Sequence, residues 1–507
     1  MKKYISLLII LLTIATGGCK KDFLELSDNP NSPVAVTPGL LLSGALKTTA
    51  SIVNGNILDP AISLTVPTDA NYTMYANWIG YLNWSTGFQP NVNLLQYAFT
   101  NANYDVWSRL YLNLSNYNAL AKSTTEPNYL AIAKIMTVFD FQQLVDNYNN
   151  VPYTTALAGT DNLNPTYEKG TVIYDDLIKQ LDAAILMIQS APASAANPGA
   201  TDIMYQGVMT NWIIFANTLK LKIAVRQSNL TAKQAALKTA VAATEALLYI
   251  NNAVTAATVN PGYVNNDANG GQASPLYAAY AFSQSGASSP YRSRYMANQY
   301  AIDFYVSHAD PRATLVYGVN SSGNLVGNYL GQTNTNPAGL AVSRLGSGAL
   351  KGPTMDAVIL SAAESLFLQA EAASTGLISG NPKVLYDAGI AASFVDDLVP
   401  DAATAAATYA AQPSVAYPVG GSAAAQQKAI IVQKWAALNP YGAFEAFNEF
   451  RRTGYPDDIP LSVYPGNNAP NQITRILYPT IEYQTNAANV AAEGNIDKFT
   501  SKIFWAK

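Results

Sequence analysis

Apolar residues recur every three or four positions along most of this chain, the period of a helix that buries one stripe, and the repeat points to packed helices over a sheet-based fold. In "TPGLLLSGALKTTASIV", Thr37 is a candidate N-cap and Pro38 stands at the first helical position, with Leu42, Ala45, Leu46, Thr49, Ala50 and Val53 on one face. Trp107, Leu110, Leu114, Tyr117 and Ala121 share a second face, and Ile132, Ile135, Met136 and Phe139 a third. Only "STTEPN" separates those two segments, which predicts an antiparallel hairpin. The theme repeats with Tyr174, Leu177, Ile178, Leu181, Ile185 and Ile188, and again with Trp212, Phe215, Ala216, Leu219 and Ile223. Trp107, Trp212 and Trp435 sit on strongly amphipathic segments and are expected in the core.

The expected fold class is therefore mostly α, a stack of helical hairpins whose repeat is too degenerate for a clean tetratricopeptide consensus. Between 251 and 350 the pattern dissolves into stretches such as "NPGYVNNDANGG", rich in Gly, Asn and Pro, which read as an irregular, loop-dominated insertion. Helices return in "DAVILSAAESLFLQAEAASTG", which ends at Gly376, and after Asn381 and Pro382. The organisation read from these shifts is a leader at 1–18, a tether at 19–36, hairpins at 37–250, the irregular region at 251–350 and a helical region at 351–507. Residues 19–507 are expected to form one unit.

The first eighteen residues have the layout of a secretory signal peptide: Lys2 and Lys3, an apolar run from Tyr4 to Ile14, then small residues. Cys19, the only cysteine, follows directly. A lone cysteine cannot form an internal disulfide, and small residues before it resemble a bacterial lipobox, in which the cysteine is acylated and becomes the mature N-terminus. Thr16 departs from the aliphatic residue common at its place, so an ordinary signal peptide with an incidental cysteine is the competing reading. Two or three acyl chains would make a permanent anchor, at about 0.8 kcal/mol per buried methylene.

Charged residues make up only 12% of the chain, so its surface must be covered by neutral polar groups, and the net charge of −4 argues against nucleic acid as a partner. His308 is the only histidine, which removes His-based zinc sites and most nucleophilic triads; it reads as a polar residue near the end of a helix. No cofactor is expected. "LGSGALKG" has a lysine where a dinucleotide fingerprint needs its third glycine, and reads as a loop. In "NNDANG", Asn265, Asp267, Asn269 and Gly270 occupy calcium-loop positions, yet Leu276 stands where the bidentate glutamate belongs, so an Asx-rich turn without an ion is favoured and no metal is expected. Glu364 and Glu371 lie on one side of one predicted helix. Structural carboxylates paired with Arg451 or Arg452 fit them better than the acid and base of a glycosidase.

Several motifs, in order, resemble those of the SusD/RagB outer-membrane lipoproteins of Bacteroidetes. They are the post-cysteine Phe23-Leu24 and Asn29-Pro30-Asn31, then Asp310-Pro311-Arg312, "SAAESLFLQAEAA", "QKWAAL", "FNEFRRTGYP" and "TRILYP". The resemblance spans essentially the whole chain. It implies a helical, tetratricopeptide-like surface protein without catalytic activity, seated on a SusC-like TonB-dependent transporter at the outer membrane. The cargo would be a glycan or, in some relatives, a peptide.

Aromatic residues carry the site expectation. In "NYTMYANWIGYLNWSTGFQPN" the rings recur at helical spacing with Asn and Gln between them, and sugar rings stack on Trp and Tyr while amides meet their hydroxyls. A second cluster, "SSPYRSRYMANQY", borders the irregular region. Trp78, Tyr81, Trp84, Tyr291 and Arg292 are the candidate ligand-binding residues, although such a stripe is also what a buried helix face shows. A surface glycoside hydrolase and a scaffold that binds only protein are the competing functions.

Overall fold

The computed structural model describes residues 36–54, 72–85, 87–268, 271–333 and 341–507. The leader, Cys19 and the two post-cysteine motifs lie outside them, as do Asn269 and Gly270.

Helix α1, Pro38–Val53, begins as expected, with Thr37 Oγ1 accepting the Leu40 N–H and Pro38 in the first turn. Helix α2, Val106–Lys122, is capped by Asp105, whose carboxylate accepts the Ser108 N–H at 2.9 Å. It turns back through Ser123 into α3, Pro127–Tyr148, and the two form the predicted hairpin. Helices α4, Gly170–Gln189, and α5, Met209–Arg226, extend the stack, each packing on its predecessor in the chain. Trp107, Trp212 and Trp435 are all buried.

Between 251 and 350 the chain makes short pieces, of which the longest is α7, Gln299–Ser307; α6, Gln234–Ala242, precedes the region. His308 ends α7, its Nδ1 lying 2.8 Å from the Phe304 carbonyl oxygen. Gly346, in the loop "LGSG", is there because a Cβ would stand 2.5 Å from the Leu315 carbonyl oxygen.

Helices α8, Ala362–Ser374, α9, Pro382–Asp396, and α10, Ala402–Ala410, form a second stack with α11, Ala423–Ala437, and α12, Ala443–Thr453. Sheet is confined to two-stranded antiparallel clasps that join distant parts of the sequence. Among the described residues β1, Leu82–Trp84, pairs with β5, Tyr295–Ala297; β2, Val151–Pro152, with β3, Tyr167–Glu168; β4, Ala257–Val259, with β8, Ala357–Leu360; and β6, Tyr317–Gly318, with β7, Arg344–Leu345.

An ion-pair network ties the two stacks together. Arg226 of α5 meets Glu445 at 2.5 Å and Glu449 at 3.0 Å on α12, and Lys434 of α11 meets both at 3.0 Å. Arg452 grips Glu371 through two bonds of 2.7 and 2.6 Å, while Glu364 takes Lys222 at 2.8 Å. Both helix carboxylates are thus structural, and Arg452 is the expected partner of Glu371. The recurring Asp-Pro-Arg motif is structural too, since the buried Arg312 clamps Asp310 at 2.6 Å and reaches Ser393 Oγ at 2.7 Å. Among the described residues no helix is long and apolar enough to cross a membrane.

Candidate functional site

Two segments more than two hundred residues apart meet at the β1–β5 clasp, in a register that sets Trp84 opposite Tyr295. The Ser85 N–H donates to the Arg294 carbonyl at 2.7 Å and extends the pairing by one residue. The clasp brings together the two clusters singled out in the sequence, through Trp84 of the first and Tyr295 of the second.

Trp78 and Tyr81 are 1% and 0% exposed, which corrects their assignment to a solvent-facing site. Trp78 is caged by Tyr97, Phe99, Tyr104 and Phe447, and its indole N–H donates to the Leu94 carbonyl at 3.2 Å. Tyr81 donates its hydroxyl to the Trp435 carbonyl at 2.5 Å. The helical spacing misleads here because the helix stops: it spans only Thr73–Trp78, and Gly80 at φ +84° turns the chain into β1. A Cβ on Gly80 would lie 2.7 Å from Tyr300 Cδ1, so both backbone angle and space demand glycine. Tyr291 is also buried, wedged between Tyr280 at 5.4 Å and Tyr295 at 5.1 Å.

Trp84 and Arg292 do reach the surface, both half-buried. Trp84 stands edge-on to Tyr295 with centroids 5.3 Å apart, its indole N–H held by the Gln89 carbonyl at 3.1 Å. Behind it the chain of rings Tyr295, Tyr291 and Tyr280 forms a rigid wall. The Arg292 guanidinium lies over the Phe282 ring, 4.2 Å from its centroid. Burial lowers the affinity of Arg292 for its proton below the ordinary arginine value.

Three further residues beside these segments escaped the sequence reading. Phe282 and Tyr329 are 40% and 37% exposed, and Arg344 donates its Nε–H to the Arg292 carbonyl at 2.6 Å. Tyr329 is held beside β1 by Asn83, whose amide donates to its carbonyl at 3.0 Å. Both rings lie within the loop-rich region 251–350, outside any long helical stripe.

A cavity of about 440 Å³ opens elsewhere, with Tyr72, Gln143, Lys222, Glu364 and Tyr441 in its walls. Its Lys222 is already bound by Glu364 and Glu445, at 2.8 and 3.0 Å, so this floor belongs to the ion-pair network. The partial calcium motif also has local partners, with Asn266 Oδ1 accepting the Ala268 N–H at 2.8 Å and both Asp267 oxygens accepting the Gln284 N–H at 3.0 Å.

Stacked helical hairpins carrying an aromatic and cationic face on a two-stranded clasp define a class of protein built around a fixed surface. The chain belongs to the SusD-like family described as "Starch-binding associating with outer membrane", whose model matches residues 30–479. Among solved structures it is similar to a chitin-binding SusD homologue from Flavobacterium johnsoniae, at 22% identity over 92% of this chain and 98% of that one, TM-score 0.74. A SusD-like protein from Bacteroides thetaiotaomicron matches at 23% identity over 92% and 98%, TM-score 0.75. A SusD homologue from Bacteroides fragilis matches at 22% over 93% and 99%, TM-score 0.71. No curated protein matches the chain by sequence.

Proposed function

We propose that this protein is a non-catalytic receptor, held on the outer membrane through acyl chains on Cys19. It captures oligosaccharides at the face containing Trp84 and Arg292 and passes them to a SusC-like TonB-dependent transporter. The observation that carries this reading is the β1–β5 clasp, which holds the half-buried Trp84 indole edge-on to Tyr295 at the head of a row of packed tyrosine rings. Sugar C–H faces pack on such rings, and a preformed face avoids the entropy of ordering a loop on binding. The family description and the chitin-binding relative support a glycan as cargo. The pairing of Glu364 and Glu371 with Lys222 and Arg452 supports a role without bond cleavage, because it leaves neither carboxylate placed as a free acid or base.

A glycan array probed with the wild-type protein and Trp84→Ala tests the proposal. Retention of one glycan class, weakened about tenfold or more in the variant, is the expected outcome. Equal retention by both proteins, shortened glycan products, or binding of peptides alone would each overturn it.

A further inference from the structure

Away from Trp84, a groove of about 380 Å³ opens between α7 and α11, bordered by the loops 414–418 and 456–458. Its size lies at the lower end of the range for small-ligand sites, about 300–1,000 Å³. One wall is a stripe of rings. Tyr300, Phe304 and His308 follow one another at the spacing of a single helix face, and all three are half-buried. The Phe304 and His308 rings lie 4.4 Å apart by centroid, tilted by 31°, and Trp435 backs Tyr300 and Phe304 at 5.5 and 5.1 Å. The wall is therefore preformed.

The polar part of the groove is rich in acceptors. Asp458 takes the Tyr300 hydroxyl at 2.6 Å and Asp457 takes the Lys428 ammonium at 2.8 Å, both carboxylates standing exposed. Gln433 lines the groove as well; it is 2% exposed, and its Oε1 has no hydrogen-bond partner among the described residues. A buried acceptor left unpaired is costly unless a donor reaches it. Among the described lining residues Lys428 is the only lysine or arginine, and Asp457 already holds it. Flat rings beside acceptors complement a molecule with apolar C–H faces and hydroxyl donors, which is the chemistry of a neutral sugar. An anionic glycan would meet Asp457 and Asp458 as like charges. The same helix also reaches the clasp, since Asp303 of α7 accepts the Tyr329 hydroxyl at 2.5 Å.

We infer that this groove is a second glycan site, receiving a neutral sugar unit whose ring packs on Phe304 and His308 while its hydroxyls donate to Asp457 and Gln433. Two sites on one molecule would hold a long chain more tightly than a short one, through effective concentration. The inference takes its ligand class from the glycan-receptor reading and places a second unit of that ligand away from Trp84.

The test uses the single histidine: untagged protein grown with isotope-labelled histidine carries one NMR reporter, His308, in the wall of the groove. It is titrated at constant pH with malto-, cello- and chito-oligosaccharides, and with oligogalacturonates as the acidic comparison. At least one neutral series is expected to move the His308 ring signals saturably, and the movement should persist in Trp84→Ala. Phe304→Ala should weaken the affinity read from that movement by about tenfold, and Asp457→Ala by at least about threefold. Should Phe304→Ala misfold, Asp457→Ala decides, because an exposed ion pair contributes little to the fold. Signals that stay still while a glycan array retains the protein, or movement lost in Trp84→Ala, would overturn the groove and leave the receptor standing. Movement with the galacturonates alone would overturn the neutral ligand. Movement that persists while Trp84→Ala leaves array retention unchanged would support the groove and overturn the clasp. No movement and no retention would overturn both.

Discussion

At the scale of single residues, two tryptophans six positions apart have opposite roles. Trp78 fills an aromatic cage and Trp84 lies half-buried at the surface, so truncating each should separate stability from binding. Trp78→Ala is expected to lower unfolding free energy by about 3–5 kcal/mol in denaturant titration, whereas Trp84→Ala should change it by less than about 1 kcal/mol and act on ligand retention. A second residue-level effect concerns Asp397. Burial pushes its carboxyl up to about 7, with Arg312 opposing that rise and Asp396 adding to it. A carboxyl that holds its proton more tightly in the folded than in the unfolded chain, where it titrates near about 3.9, stabilises most at low pH, and the effect is lost as pH rises through about 7. Asp397→Asn should therefore melt higher than wild type at about pH 8, with the gap closing toward about pH 4. Parallel melting curves across that range would contradict the assignment.

At the scale of elements, the proposed site depends on one turn. Gly80 ends the helix Thr73–Trp78 and aims β1 at β5, and its left-handed backbone together with the Tyr300 ring excludes a side chain. Gly80→Ala should cost roughly 1–3 kcal/mol. It should also weaken ligand retention without touching a ligand contact, and raise amide exchange across Leu82–Trp84 and Tyr295–Ala297. Unchanged exchange there would show that the clasp does not need this turn. The same turn explains the limit of the periodicity reading. Rings at helical spacing over 72–84 straddle a helix, a turn and a strand, so their common face exists in the sequence and not in the molecule. The long helices posed no such problem, because α1 to α5 carry uninterrupted stripes bounded by caps, and hairpin order followed from short connections.

At the scale of the whole molecule, the motifs that marked the family are those that join its parts. Asp310 and Arg312 clamp each other against Ser393, and Glu449 and Arg452 anchor the network that bridges α5, α8, α11 and α12. Such groups report the fold. In the proposed reading, localisation depends on Cys19, which lies outside the described residues. Cys19→Ala should shift the protein from the membrane to the soluble fraction and abolish labelling by radioactive palmitate; an unlabelled wild-type protein would refute the anchor.

The helical hairpins and the family were legible in order and spacing alone, because local period, caps and motif order are properties of neighbours in the chain. Which rings face water was not. Trp84 meets Tyr295 only through strand pairing across more than two hundred residues, and Trp78, Tyr81 and Tyr291 are withdrawn by packing against Phe447, Trp435 and Tyr295. Exposure is decided by what a side chain meets from distant segments, so only the tertiary structure could assign it.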